Sequence, residues 1–345
     1  ILDPTTYTNS GTEYLFSSAK GSETSNSTVG FMRYQCNSTS GFAAVPDPYQ
    51  KYSSSAGQNL YNGSYMPTRH GVNSSGLARV ATVGYIYKSD GYGARFVPYL
   101  ILMDWDSSNF NQACPYQNNN KGGYYHSAHV TTDHKCFAIG QMAHPTGGQF
   151  NATITEYSST AVQQGNMAIF KSDGTGGNAF THIREDTATG DFYVAGYLDI
   201  VHDSVTCGRL TLTKFNSSRV PQWWRTLDIE PADASSNRVV NPNGLDINSD
   251  GNLVVSYVAG TGVYSVGGVA VLPKDGSGTG TYSIDGHTFT YFDSASTITD
   301  VSSAYSFTTE TRFSNIGTSI ASHTNMTPDN RTGANVLDTL VSEAV

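Results

Sequence analysis

The run DFYVAGY, residues 191–197, ends a short β-favouring stretch on Gly196 and Tyr197, and the same arrangement occurs at RVATVGY (79–85), with Gly84, and at CFAIGQ (136–141), with Gly140. The three glycines are spaced by 56 residues twice over. A fourth copy, GNLVVSYVAG (251–260), aligns Gly251 with Gly190 and follows after 61 residues. A period this long, built from β-branched and aromatic residues with turn signals between, exceeds the helical repeat units and matches a four-stranded blade with long loops.

A second motif runs out of phase with the first. An apolar strand followed by a polar turn recurs in YLILMDWDSSN, NMAIFKSDG, RLTLTKFNSSR and GGVAVLPKDG, with a fainter version in GFMRYQCNSTSG. The turn positions Asn37, Asp106, Ser172, Asn216 and Asp275 are unevenly spaced, so the loops vary while the strand ending at each glycine keeps its beat. The reading is an all-β, β-propeller-like repeat array of about five recognisable units.

Composition agrees with that class. The 345 residues are 38% hydrophobic, 14% charged and 12% aromatic, enough to bury a large core and too apolar for a disordered chain. Thirty-five Gly and 22 Tyr, with no long amphipathic helical period, point to β structure rich in turns. The formal net charge of −9 and the absence of a Lys/Arg cluster argue against a nucleic-acid partner. The longest apolar run, FVPYLILM, is a buried-strand length and too short to span a bilayer.

Along the chain, residues 1–30 read as a polar N-terminal arm or the remnant of an upstream domain, 31–290 as the repeat domain, and 291–345 as a Ser/Thr-rich closing or docking segment. The last of these ends in ANVLDTLVSEAV, the one plausible short helix. Ile1 is no initiator, so a removed leader or a longer product is expected. Cys36, Cys114, Cys136 and Cys207 lack CxxC spacing and read as free buried thiols. Eight Asn-x-Ser/Thr sequons are consistent with the general abundance of these residues.

The stretch RLTLTKFNSSRVPQWWRTLDIEP followed by GLDINSDGNLVVSYVAG resembles the bacterial seven-bladed-propeller repeat, with Trp223 and Trp224 in its Trp strand. GGVAVLPKDGSGTGTYSIDGHTFTYFDSASTITD (267–300) resembles a segment of virion structural and tail-associated proteins of tailed phages, especially marine and cyanobacterial ones. The likeness covers residues 165–305, with 31–164 joined to it by spacing. It implies a non-enzymatic virion component on the tail or exterior, present in many copies, acting as an assembly platform among other virion proteins and touching a host-surface glycan or protein. No cofactor is implied. The alternatives are a carbohydrate-active enzyme or depolymerase on a propeller scaffold and a secreted bacterial surface or filament protein.

Signals of chemistry are sparse. HSAHVTTDHKC gathers His126, His129, Asp133, His134 and Cys136, a ligand set suited to zinc, but in a regular strand His126 and His129 face opposite sides. In DINSDGN, Asp246, Asn248 and Asp250 have the spacing that opens a calcium loop, while Gly251 equally suits a hairpin turn. No nucleophile elbow, zincin helix or phosphate loop is present, so no catalytic residue is assigned. Tyr87, Tyr92, Tyr116, Tyr124 and Tyr125, in or beside loops rich in Gly and amides, are the candidates for surface recognition, since tyrosine offers rigid contact area at low entropic cost.

Overall fold

A computed structural model describes residues 2–315 apart from short stretches, chiefly connections such as 62–67, 105–109 and 231–238; side chains are described mainly between 76 and 310. Apart from one short 3-10 turn, the described elements are strands in four sheets; the last sheet joins two antiparallel stacks through a single parallel pair, Gly208 with Val239, so that five units follow one another along the chain.

The first unit holds β1 (Leu2–Asn9), β2 (Thr12–Glu23), β3 (Asn26–Asn37), β4 (Gly41–Ala44) and β5 (Gln50–Ser54). The second holds β6 (Asn59–Tyr61), β7 (Thr68–Val72), β8 (Ala78–Asp90), β9 (Gly93–Asp104) and β10 (Phe110–Gln117). The third comprises β11 (Gly123–Val130), β12 (Cys136–Ala143), β13 (Phe150–Tyr157) and β14 (Ala168–Ser172). The fourth has β15 (Asn178–Asp186), β16 (Asp191–His202), β17 (Val205–Phe215) and β18 (Pro221–Glu230), and the fifth β19 (Val239–Ile247), β20 (Asn252–Gly260) and β21 (Ser265–Pro273). The initial strands β1, β7, β11, β15 and β19 touch in succession, giving the array its propeller-like order. Among the described residues no sheet closes on itself.

Within residues 1–30, read from the sequence as a polar arm or the remnant of an upstream domain, β1 pairs with β2 and β2 with β3. Their Ser- and Thr-rich composition carries no apolar alternation that would mark a strand, and strand pairing satisfies their backbone groups as well as water would.

The units stack through alternate residues of each strand, because successive side chains point to opposite faces. In β16, Phe192 and Val194 pack with Phe137, Ile139 and Ile154 of the third unit. Their neighbours Tyr193 and Ala195 pack with Leu245, Leu253 and Val255 of the fifth. The adjacent Trp223 and Trp224 divide in the same way, one to each junction. Burial on both faces explains why the repeats read as short continuous apolar runs rather than as alternating ones.

After β21 the chain turns back. The hairpin β22 (Gly280–Ile284) and β23 (His287–Asp293) adds to β18 of the fourth unit. Then β24 (Ile298–Asp300) adds to β14 of the third unit and β25 (Phe307–Glu310) to β10 of the second. Finally β26 (Phe313–Asn315) adds to β5 of the first. One segment thus visits four units in reverse order and covers the outer edge of each. The terminal ANVLDTLVSEAV lies outside the described residues.

Candidate functional site

The 56-residue beat has a structural cause. In the third unit Tyr125 pairs with Gly140 and Ser127 with Ile139, which leaves His126 as an extra, bulged residue. In the fourth, Phe180 pairs with Gly196 and His182 with Ala195, leaving Thr181 extra. The glycine stands opposite each bulge, and a Cβ on Gly140 or Gly196 would be driven into the carbonyl oxygen of Tyr124 or Ala179. Gly84 differs, since a Cβ there would meet the phenol of Tyr99. The fifth unit keeps a bulge at Asn243 but sets Tyr257 opposite Pro242 in the glycine's place.

A bulge slips the phase of a strand by one residue. Tyr124, His126 and His129 are therefore all partly exposed, while Tyr125, Ser127, Ala128 and Val130 are buried. This overturns the expectation that His126 and His129 lie on opposite sides. They nevertheless belong to different surroundings, His126 mid-strand beside Tyr124 and His129 one residue from the end of β11, beside Glu185.

Around Tyr124, near the end that carries the β8–β9 hairpin and the β10–β11 connection, an aromatic cluster forms between units. Its ring lies 4.6 Å edge-on from Tyr85, 4.9 Å from Phe96 and 5.4 Å from Phe150. Tyr87 packs on Phe96 at 5.3 Å, and His126 stacks parallel to Tyr124 at 6.2 Å. Close by, the Tyr197 hydroxyl donates to Oε1 of Gln141 at 3.2 Å. All these residues are half-buried. Burial, reinforced by Tyr85 and Tyr197, pushes the Tyr124 phenol up to about 12. Burial, reinforced by the neighbouring His182, pulls His126 down to about 4. At neutral pH these two groups carry no charge. The cluster offers aromatic faces with phenol, imidazole and amide groups, the combination that holds an uncharged polyhydroxylated ligand.

The opposite end carries tight turns and ion pairs that cross the junctions. His129 Nε2 donates to Glu185 Oε2 at 2.7 Å, joining the third and fourth units. Arg184 grips Asp246 with two bonds of 2.9 and 3.1 Å, joining the fourth and fifth. Lys274 reaches Asp186 at 2.8 Å, and Arg219 reaches Glu156 at 3.2 Å.

These contacts decide the metal candidates. Asp246 is engaged by Arg184, and Asn248 Oδ1 accepts the backbone N–H groups of Asp250 and Asn252 at 3.1 and 2.8 Å. With Gly251 at a φ of +79°, DINSDGN is a hairpin turn closed by the Asn248 side-chain oxygen, while Asp246 is taken by Arg184. HSAHVTTDHKC disperses similarly: Asp133 accepts from Thr131 and Lys135, His134 Nε2 donates to the Leu77 carbonyl at 2.9 Å, and Cys136 is fully buried. Among the described residues no group of three His, Cys, Asp or Glu side chains is arranged to hold a metal. Cys136 is a free, buried thiol and Cys114 is buried too; the side chains of Cys36 and Cys207 lie outside the described residues.

Of the five tyrosines singled out, Tyr87 and Tyr124 belong to the cluster. Tyr125 does not present itself at a surface: it is fully buried, with its hydroxyl 3.0 Å from Thr155 Oγ1 and 2.7 Å from the Tyr157 hydroxyl. The bulge turns it into the core between the second and third units. Tyr92 and the side chain of Tyr116 lie outside the described residues. Tyr85, Phe96, Gln141, Phe150, His182 and Tyr197 were missed, yet a signal existed. Tyr85, Gln141 and Tyr197 each directly follow a beat glycine.

No protein-family model matches the chain, and no curated protein matches it. Among solved structures, it is similar to MPT-4, a mannose phosphorylase from Leishmania mexicana. The likeness has a TM-score of 0.37 at 9% identity and covers 79% of this chain and 84% of that one. A likeness of this degree carries no argument about activity.

Proposed function

We propose that this chain is a non-enzymatic structural and recognition protein, a component of a tailed-phage virion exterior or tail, in which the stacked units form a stiff platform and the cluster around Tyr124 contacts a neutral surface glycan. The observation that carries the recognition part is the grouping of Tyr85, Tyr87, Phe96, Tyr124, Phe150 and Tyr197 as half-buried rings beside a neutral imidazole. Aromatic faces stack on the C–H faces of sugars while phenol and amide groups bond their hydroxyls. The virion setting is supported by the resemblance of residues 267–300.

The test is titration of the full chain with a panel of neutral oligosaccharides from bacterial envelopes, followed by calorimetry and by product analysis. Saturable binding that falls at least about tenfold in Tyr124→Ala supports the reading. Binding that is indifferent to Tyr124→Ala and Tyr85→Ala removes the cluster from it, and cleavage of any saccharide overturns the non-enzymatic assignment. Imaging of the particle tests the virion setting separately.

A further inference from the structure

The fifth unit, the last in the stack, keeps one apolar face that no described residue covers. In the fourth unit Tyr193 and Ala195 of β16 and Leu212 of β17 pack on the fifth, and Leu212 is fully buried there. One unit on, Val254 and Ser256 stand 61 residues after Tyr193 and Ala195, and Val269 stands opposite Ser256 as Leu212 stands opposite Ala195. Val271 stands opposite Val254 on the same face. Yet Val269 is 65% and Val271 57% exposed, while their strand neighbours Ala270 and Leu272 turn the other way and pack toward the fourth unit. Repeat arrays need a polar outer surface on their terminal unit, so a face of this kind calls for a cover.

The chain holds a segment suited to that role. Residues 316–345 follow the last described strand and include ANVLDTLVSEAV (334–345), which reads as a short helix. At about 3.6 residues per turn every apolar residue of it falls within one half of the helical circumference, with Leu337, Leu340, Val341 and Ala344 along the middle. Asn335, Asp338, Ser342 and Glu343 fall in the other half. Such a helix is about 18 Å long, within the length of the nine-residue strand β21 at about 3.3 Å per residue. Its reach suffices as well. Asn315 is anchored to Tyr52 on the first unit, and the chain from Asn315 to Ala334 spans up to about 60 Å when extended. Sheets stack about 10 Å apart, so four junctions separate the initial strands of the first and fifth units by about 40 Å at most.

We infer that residues 334–345 dock as an amphipathic helix on the face formed by Val254, Val258, Val269 and Val271 of their own chain, with Leu337, Leu340 and Val341 against the valines, and so cap the stack. The return path of the chain supports this. Residues 287–315 close the edges of the fourth, third, second and first units in that order, and among the described residues the fifth is the one unit that the path does not reach. Docking turns Asp338 and Glu343 outward and gives the array a polar end. The surface is on a different unit from the aromatic cluster, and its test is independent of the glycan reading.

In the full chain Val269→Cys with Leu340→Cys should form a disulfide within one chain under mild oxidation, read by peptide mass mapping and by sedimentation as a monomer. Val220→Cys, at a turn of the fourth unit and 51% exposed, should form none with Leu340→Cys. Alone, Val269→Cys should react with a thiol reagent at least about tenfold more slowly than Val220→Cys, and adding Leu340→Asp should abolish the difference without touching the described core. A linkage found only between chains, no linkage, equal linkage at position 220, or labelling of Val269→Cys at the rate of Val220→Cys would each overturn the inference.

Discussion

His129 of the third unit hydrogen-bonds Glu185 of the fourth at 2.7 Å, and both side chains are mostly withdrawn from solvent, at 15% and 13% exposure. The pair links the last turn of β11 to that of β15, where the two initial strands meet. A charge-assisted bond in such a setting contributes about 1.5–3 kcal/mol. In a double-mutant cycle of His129→Ala and Glu185→Ala, followed by urea unfolding, a coupling of about 1 kcal/mol or more is expected. Additive losses would show that the two side chains stabilise their own units independently.

The beat glycines differ in what they tolerate. Gly140→Ala and Gly196→Ala push a methyl group into backbone of the adjoining strand, whereas Gly84→Ala meets the end of the Tyr99 side chain. The first two should lose about 3 kcal/mol each and the third distinctly less. Equal midpoints for all three in denaturant would refute a role in accommodating the bulge.

His126 gives the fold an acid sensitivity. Burial lowers its affinity for a proton from the ordinary 6.5 to about 4 in the folded chain, with His182 adding to the effect. Above pH 6.5 it is neutral in both states and makes no pH-dependent difference. Between 6.5 and 4 the unfolded chain takes up a proton that the folded chain refuses, so stability falls with pH, by about 2–3 kcal/mol at pH 4.5. His126→Gln should flatten that part of the profile relative to the parent. Parallel profiles for the two proteins would contradict it.

A chain ending at residue 296 lacks β24, β25 and β26. Amides on the newly bared edges of β10 and β14 should exchange faster by at least about tenfold, while those of β20 remain protected. Unchanged exchange along β14 would mean that pairing with Ile298–Asp300 adds nothing to its stability.

The repeat was legible in the sequence because a bulge facing a close backbone approach demands glycine, so Gly140 and Gly196 recur where the geometry recurs. The junctions were partly legible: the resemblance put Trp223 and Trp224 in one strand, and as neighbours they send one ring to each junction. The returning segment was not, since β24 and β26 have three residues each, too few for any period to show. His126 and His129 were assigned to opposite faces because a register slip belongs to the pairing of two strands. Asp246 looked like a cation ligand for a similar reason, its partner Arg184 being remote in sequence and set beside it only by stacking.

The reverse path of residues 287–315 also sets a timetable for synthesis. Each of the first four units can assemble its own meander soon after it leaves the ribosome, but the edge of β5 must wait until Asn315 has been made to pair with Tyr52. The earliest unit to emerge is the last to be sealed. Long-range pairing of this kind is slow, and the waiting edges stay open to the wrong strands meanwhile. A chain released before Phe313 would therefore leave β5, one of the first strands made, without its last neighbour.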